Sequence, residues 1–351
     1  MNHLFFCIII YAILIFIILG GIKKNSSHGC DELLKTLNSL RGIFALDIII
    51  GHCVRYESCP LSPLGNFMLI SVGFFFFVSG MGITRSYHTK SDYLKTFPKH
   101  RILHLVLIAL SALMISTLIA YISPIYTPFR NIPDTLPVFL RAIIIRTNWY
   151  IRELLLLYVV FYITYRFFHK HRYVFISLMV LLICTVLLIL EYKYSLGYTR
   201  CWFASIICFP LGIYTYENHD KISAFLNKRI GGVISIIVLM IGLSTSLFNY
   251  TSLIGISDFV NEIICALCNN ILCVGFILVL MIFLSYFKPQ NRIISFFTGI
   301  STEIYLYQFI FISIAEKMQL SYPWKIAFVF VFDILLSTVL HLLKNRFYNT
   351  Q

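Results

Sequence analysis

ILHLVLIALSALMISTLIAYI, residues 102–122, contains no Asp, Glu, Lys or Arg. As an α-helix it would be about 30 Å long, the depth of a bilayer's hydrocarbon core. Ten further apolar runs, bounded by charge, Pro or Gly, lie at about 4–22, 41–57, 64–84, 149–168, 173–190, 201–216, 231–248, 261–286, 293–315 and 323–343. Only helices and closed barrels satisfy their backbone groups in lipid, and runs of this length are helical. The predicted fold class is therefore all-α: a polytopic transmembrane bundle of ten core spans plus one N-terminal extra span.

Composition excludes the alternative of a soluble domain. Of 351 residues, 59% are hydrophobic and 12% charged, against about 25% charged in a typical soluble domain. Mean hydropathy is +0.85. A globular core of this length has no room for so much apolar side chain, and lipid removes the difficulty. The net charge of +13 does not point to nucleic acid, because the basic residues form short clusters between apolar runs rather than one solvated face.

Those clusters orient the chain. Of the 28 Lys and Arg, 19 fall in the alternate connections 23–41, 85–101, 166–172, 221–229, 288–292 and 344–346, and 8 in the others, with Arg152 inside a span. Positive-inside bias then places the N-terminus outside and the C-terminus in the cytoplasm, with the chain in the inner (plasma) membrane of the cell. The first run lacks a basic start and a small-residue cleavage site before Lys23 and Lys24, so it reads as a retained helix. Residues 1–30 are an N-terminal helix and linker, and 31–351 one membrane domain. The longest connection, 123–148, holds a semi-apolar piece, 136–145, suited to the interface. Most of the ten cysteines lie inside apolar runs. Cys265 and Cys268 have metal-like spacing without a second pair, so no metal site is predicted. Nothing in the sequence sets an oligomeric state.

Ionisable groups within spans mark function. Here they are Asp47, His52, Arg152, Glu153, Glu303 and Asp333. His52 alone among the ten histidines falls well inside a span, and its pKa range suits acid–base work. Arg41 lies eleven residues earlier, three helical turns plus about 20°, so the two share one face with a rise of about 16 Å. Arg41 then sits at the cytoplasmic interface and His52 near mid-membrane. An anionic carrier held by Arg41 can extend a thin arm to His52, and coenzyme A has that shape. Asp47 is about 140° round the helix from His52, which leaves the orienting acid to another helix.

These residues resemble a known family. LRGIFALDIIIGH (40–52), with ten residues between Arg41 and His52, is similar to the signature of the acyltransferase-3 membrane family. FFFFVSGMGIT (74–84), YLKTFPKHRILHL (93–105), NWYIRELLLLYVVFY (148–162) and GISTEIYLYQFIF (299–311) resemble its later motifs, in family order, across roughly 37–345. The resemblance implies transfer of an acyl group, most often acetyl, from acyl-coenzyme A to a carbohydrate hydroxyl of a bacterial surface polysaccharide or its precursor. Acetyl-CoA would be a co-substrate, with no cofactor bound permanently. His52 would act as general base or itself take the acyl group, with Glu303 and Asp333 as candidates to orient it. Arg41 would hold the carrier, and Arg85, Lys99, Arg101 and Ser79 are further candidates for coenzyme contact.

Structural roles stand beside several of these. Ser79-Gly80 also suits close helix packing, Trp149 interfacial anchoring, and the basic cluster topology alone. The chain has Asn38 and Ser39 where the family often has Asp, and Gln308 where it often has His, so Gln308 is not expected to be a required acid or base. A multi-pass transporter or flippase for a glycan or lipid-linked precursor is the competing function, and paired broken helices or an inverted repeat would mark it.

Overall fold

The computed structural model describes residues 3–25, 29–55, 67–122, 149–194, 205–248 and 258–349. The described chain is nearly all helix. In order come α1 (His3–Leu19), β1 (Ile22–Lys24), α2 (Cys30–Ser39), α3 (Arg41–Arg55), α4 (Phe67–Thr89), α5 (Tyr93–Phe97) and, after a π-helical turn at Pro98–Leu103, α6 (His104–Ile122). Then follow α7 (Trp149–Phe167), α8 (Arg172–Tyr194), α9 (Cys208–Glu217), α10 (His219–Leu226), α11 (Arg229–Phe248), α12 (Asp258–Tyr286), β2 (Phe287–Pro289), α13 (Arg292–Gly299), α14 (Ser301–Lys317) and α15 (Tyr322–Asn349).

A helix coincides with each of the eleven apolar runs. Five of the described helices are long and apolar enough to cross a membrane, or seven if each of two bent pairs is one span. The pairs are His219–Leu226 with Arg229–Ser244, bent by 89°, and Arg292–Gly299 with Ser301–Lys317, bent by 67°. In the described part of the run at 201–216 the helix Cys208–Glu217 has 10 residues. The connection 123–148, with its expected interfacial piece, lies outside the described residues. This is a multi-pass membrane protein. The exposed faces agree: on α6 Leu107, Leu110, Met114 and Leu118 point outward, and on α15 Val331, Leu335, Val339 and Leu342. Apolar side chains repeating every three or four residues on an outer face suit lipid rather than water.

The chain forms two compact units. The first contains α1 to α3, α4 up to Ser71, α6 from Ile115, and everything described from Phe283 onward. In it α13, α14 and α15 pack against α3. A two-stranded antiparallel ribbon, Ile22 opposite Pro289 and Lys24 opposite Phe287, ties the segment after α1 to the segment before α13. Asn25 reinforces it by donating from its side chain to the Leu284 carbonyl at 2.8 Å, and Lys288 pairs with Glu32. Asn291 caps α13, accepting from the Ile294 amide at 2.8 Å and donating to the Ile17 carbonyl at 2.6 Å. Residues 3–25 are thus stitched into this unit by backbone and side-chain bonds.

The second unit contains α4 from Val72, α5, α6 up to Met114, and α7 to α12 up to Ile282. The phenylalanine run of α4 is buried, and Phe76 meets Tyr150 of α7 with ring centroids 4.9 Å apart. Here α4 and α9 touch backbone to backbone. A Cβ on Gly80 would land on the Phe209 carbonyl oxygen, and one on Gly212 on the Phe77 carbonyl oxygen. Small residues allow such approach between membrane helices, so packing accounts for Gly80. Neither carbonyl can yield without moving a helix. Gly212→Val should therefore destabilise the unit by about 3 kcal/mol, the upper part of the range for overpacking. Thermal unfolding of the detergent-solubilised protein measures this, and an unchanged midpoint would contradict the contact.

Candidate functional site

Helix α2 ends at Ser39, and the Leu40 amide closes its last turn on the Leu37 carbonyl at 3.0 Å. Helix α3 then starts at Arg41, so this side chain stands at a junction between two helices. The end of α13 is docked on the same junction. Thr298 donates its hydroxyl to the Ser39 carbonyl, and Gly42 lies against the backbone of Phe297 and Thr298, where a Cβ would collide. The bend between α13 and α14 follows immediately.

Helix α3 is continuous from Arg41 to Arg55. The one-face relation of Arg41 and His52 therefore holds, with a rise of about 16 Å. His52 is 7% exposed. Its ring stands against Phe309 of α14, centroids 4.6 Å apart and tilted by 58°. Asp47 faces elsewhere, as the spacing requires. The Tyr11 hydroxyl donates to one of its oxygens at 3.0 Å and the Ser71 hydroxyl to the other at 2.5 Å. One carboxylate thus links α3 to α1 and to the first turns of α4, which fixes the rotation of α3 about its own axis.

Glu303, in the first turn of α14, pairs with Lys344 at 3.5 Å. Asp333 of α15 is fully buried, and neither of its oxygens has a hydrogen-bond partner among the described residues. No hydrogen bond or ion pair joins either acid to His52 among the described residues. The structure thus brings α3, α14 and α15 together, and neither Glu303 nor Asp333 is bonded to the imidazole. Gln308, also fully buried, donates from its amide nitrogen to the Tyr305 carbonyl at 3.1 Å.

The remaining candidates belong to the second unit. Ser79 is half-buried, and Arg85 and Lys99 are exposed. Arg101 is committed structurally: its Nε donates to the Tyr93 hydroxyl at 3.1 Å and its terminal nitrogen to Ser86 at 3.3 Å. It braces the α5 segment on α4. Trp149 packs edge-on to Tyr150, and Glu153 is buried.

One polar cluster escaped the sequence reading. Glu217, at the end of α9, accepts from the Tyr165 hydroxyl at 2.7 Å, from Arg172 Nε at 3.0 Å and from the Tyr173 hydroxyl. His88 stands 3.5 Å away. Burial pushes the carboxyl up, but the hydrogen bonds from Tyr173, Tyr165 and Arg172 outweigh it, and Glu217 is held below the usual carboxylate range. Its partners are 44 to 52 positions away, so no local motif announces it. The signal present was a carboxylate at the end of an apolar run, with Tyr and Arg at the ends of others.

The family model described as an acyltransferase domain matches residues 34–342. The chain belongs to the acyltransferase-3 family. No curated protein and no solved structure matches the chain. The acyltransferase-3 match begins within α2 and ends within α15, so it takes in Arg41, His52, Glu303 and Asp333, all of the second unit and most of the first. Helix α1 and strand β1 lie outside it. The Tyr11–Asp47 bond therefore joins a segment outside the acyltransferase-3 match to the helix that carries His52.

Proposed function

We propose that this acyltransferase-3 protein is an integral membrane O-acyltransferase that moves an acetyl group from acetyl-CoA to a carbohydrate hydroxyl of a bacterial surface polysaccharide or its precursor. The observation that carries this is Arg41 and His52 on one face of α3, about 16 Å apart, within a family match of nearly the whole domain. Arg41 grips an anionic part of the carrier by charge-assisted hydrogen bonds. His52 takes the proton of the acceptor hydroxyl as that oxygen attacks the thioester carbonyl. The new C–O bond forms, the C–S bond breaks, and the thiolate leaves with the proton returned from His52. The products are the acetyl ester and the coenzyme thiol, with no net proton consumed.

The protein would span the membrane with ten core helices and one N-terminal extra, N-terminus outside and C-terminus in the cytoplasm. The charge bias of the connections supports that orientation. A variant Lys90→Cys, at an exposed position, should resist an impermeant thiol reagent in intact cells and react once they are permeabilised. Ready labelling of intact cells would invert the topology and the side of coenzyme entry.

The two bent helix pairs bear on the transporter reading, since broken helices mark many transporters. In each pair the first member has 8 residues, about 12 Å of helix, while the second is 17 or 20 residues long. This is a short helix leading into a span, not a span broken at its middle, and it does not favour transport. The acetyl content of the cell's surface glycan, with and without this protein, tests the proposal. Loss of acetyl with the glycan still exported is the expected result. Unchanged acetylation with glycan retained inside would replace acyl transfer by transport.

A further inference from the structure

Buried polar groups in the first unit are satisfied with few exceptions. Asp47 has two hydroxyl donors, Glu303 has Lys344, and Asn25 has the Leu284 carbonyl. Three side chains on α14 and α15 stand apart. Asp333, Ser337 and Gln308 are each fully buried. Both carboxylate oxygens of Asp333, the Ser337 hydroxyl oxygen and the Gln308 amide oxygen have no hydrogen-bond partner among the described residues. An unsatisfied buried polar atom costs about 1–3 kcal/mol, more when charged, and the hydrocarbon region offers no water to relieve it.

These groups occupy one level. Asp333 and Ser337 are one helical turn apart, hence neighbours on α15, on the side away from the lipid-facing Val331, Leu335 and Val339. Helices α14 and α15 are antiparallel, and two ion pairs set their register: Lys325 with Glu316 near the connection, and Lys344 with Glu303 at the far end. Between those pairs, Gln308 falls opposite the turn 333–337. Its neighbour Phe309 carries the His52 ring. The unpartnered oxygens therefore lie at the depth of the imidazole.

We infer that Gln308, Asp333 and Ser337 form the seat of a polyhydroxylated acceptor, which presents one hydroxyl to His52 and donates others to these oxygens. The chemistry selects the ligand. The Asp333 and Gln308 oxygens accept, the Ser337 hydroxyl both donates and accepts, and the Gln308 amide nitrogen already serves Tyr305, so the complement is a group rich in hydroxyls. The two oxygens of one carboxyl group can meet two adjacent sugar hydroxyls at once, whereas the phosphates of the coenzyme would bring only further acceptors to these oxygens. The inference rests on the acyl-transfer reading for its purpose, but its binding can be measured without turnover.

Thermal unfolding of the full-length, detergent-solubilised protein should be followed with methyl glucoside, methyl galactoside and N-acetylglucosamine as probes, and separately with acetyl-CoA. At least one sugar should raise the midpoint of the wild type. Asp333→Asn, nearly isosteric, should bind that sugar about two- to tenfold more weakly, as expected for loss of one hydrogen bond. Its response to acetyl-CoA should be unchanged. Ser337→Ala should weaken the sugar alone by a smaller factor, and it decides the matter if Asp333→Asn does not fold. The seat is overturned if no probe stabilises the wild type, if the sugar response survives in the variants that fold, or if sugar and acetyl-CoA responses fall together. Sugar binding without any acetyl transfer would instead count against the acyl-transfer reading and leave the seat standing.

Discussion

His52→Ala is expected to leave the protein inserted and folded while transfer to a glycan acceptor falls by at least about a hundredfold, and by as much as about ten-thousandfold, the usual contribution of a positioned general base. The ring's packing against Phe309 is worth only about 0.5–1.5 kcal/mol beyond its buried area, and small side chains are well tolerated between membrane helices. Stability and chemistry should therefore separate. Glycan acetylation by the purified variant, measured beside its thermal midpoint, checks this. A rate near wild type with an ordinary midpoint would remove His52 from the chemistry, since no other base on α3 reaches the same face.

The parts legible in the sequence were those with a period or a local spacing. Apolar runs of span length gave the helices, because lipid makes length and hydropathy decisive. Arg41 and His52 were readable as one face because both belong to a single uninterrupted helix, where eleven residues fix an angle. Gly80 was readable as a packing residue on composition alone, and the Phe209 carbonyl beside it bears that out. Span boundaries were less sharp. The bend between α13 and α14 turns on Gly299 and Ile300 inside one run of span length, and the few polar residues around it, Thr298, Ser301 and Thr302, are too few to break the run by hydropathy.

What stayed hidden depends on contacts between distant segments. Asp47 was visible as an intramembrane carboxylate, but its partners Tyr11 and Ser71 lie 36 and 24 positions away on different helices. Nothing in either segment announces the other. The same holds for Glu217, whose donors come from the ends of α7 and α8. Arg101 was legible only as a member of a basic cluster, suited to coenzyme contact or to topology. Its hydrogen bonds to Tyr93 and Ser86 could not be read from that cluster. Charge in a connection is a topological signal first, and its further use is set by what the fold places beside it.

Arg41 is the residue where that distinction can be measured. If its guanidinium holds the carrier, Arg41→Ala should chiefly weaken acetyl-CoA binding. Loss of a charge-assisted contact to phosphate is worth about 1.5–3 kcal/mol, or about ten- to a hundredfold in affinity. Arg41→Lys should recover only part of this, because an ammonium keeps the charge but lacks the planar fork that grips two oxygens at once. The junction itself should persist in both variants, since Thr298 bonds the Ser39 backbone and Gly42 supplies the close approach, neither through the Arg41 side chain. His52→Ala should behave oppositely, binding acetyl-CoA as the wild type does while turnover is lost. Calorimetric titration of acetyl-CoA into the three variants separates these roles. Near-wild-type affinity in Arg41→Ala would show that the shared face of α3 brings Arg41 and His52 to one polar region without Arg41 anchoring the carrier. Weak binding in both Arg41→Ala and Arg41→Lys, with His52→Ala intact, would assign the grip to the fork rather than to charge alone.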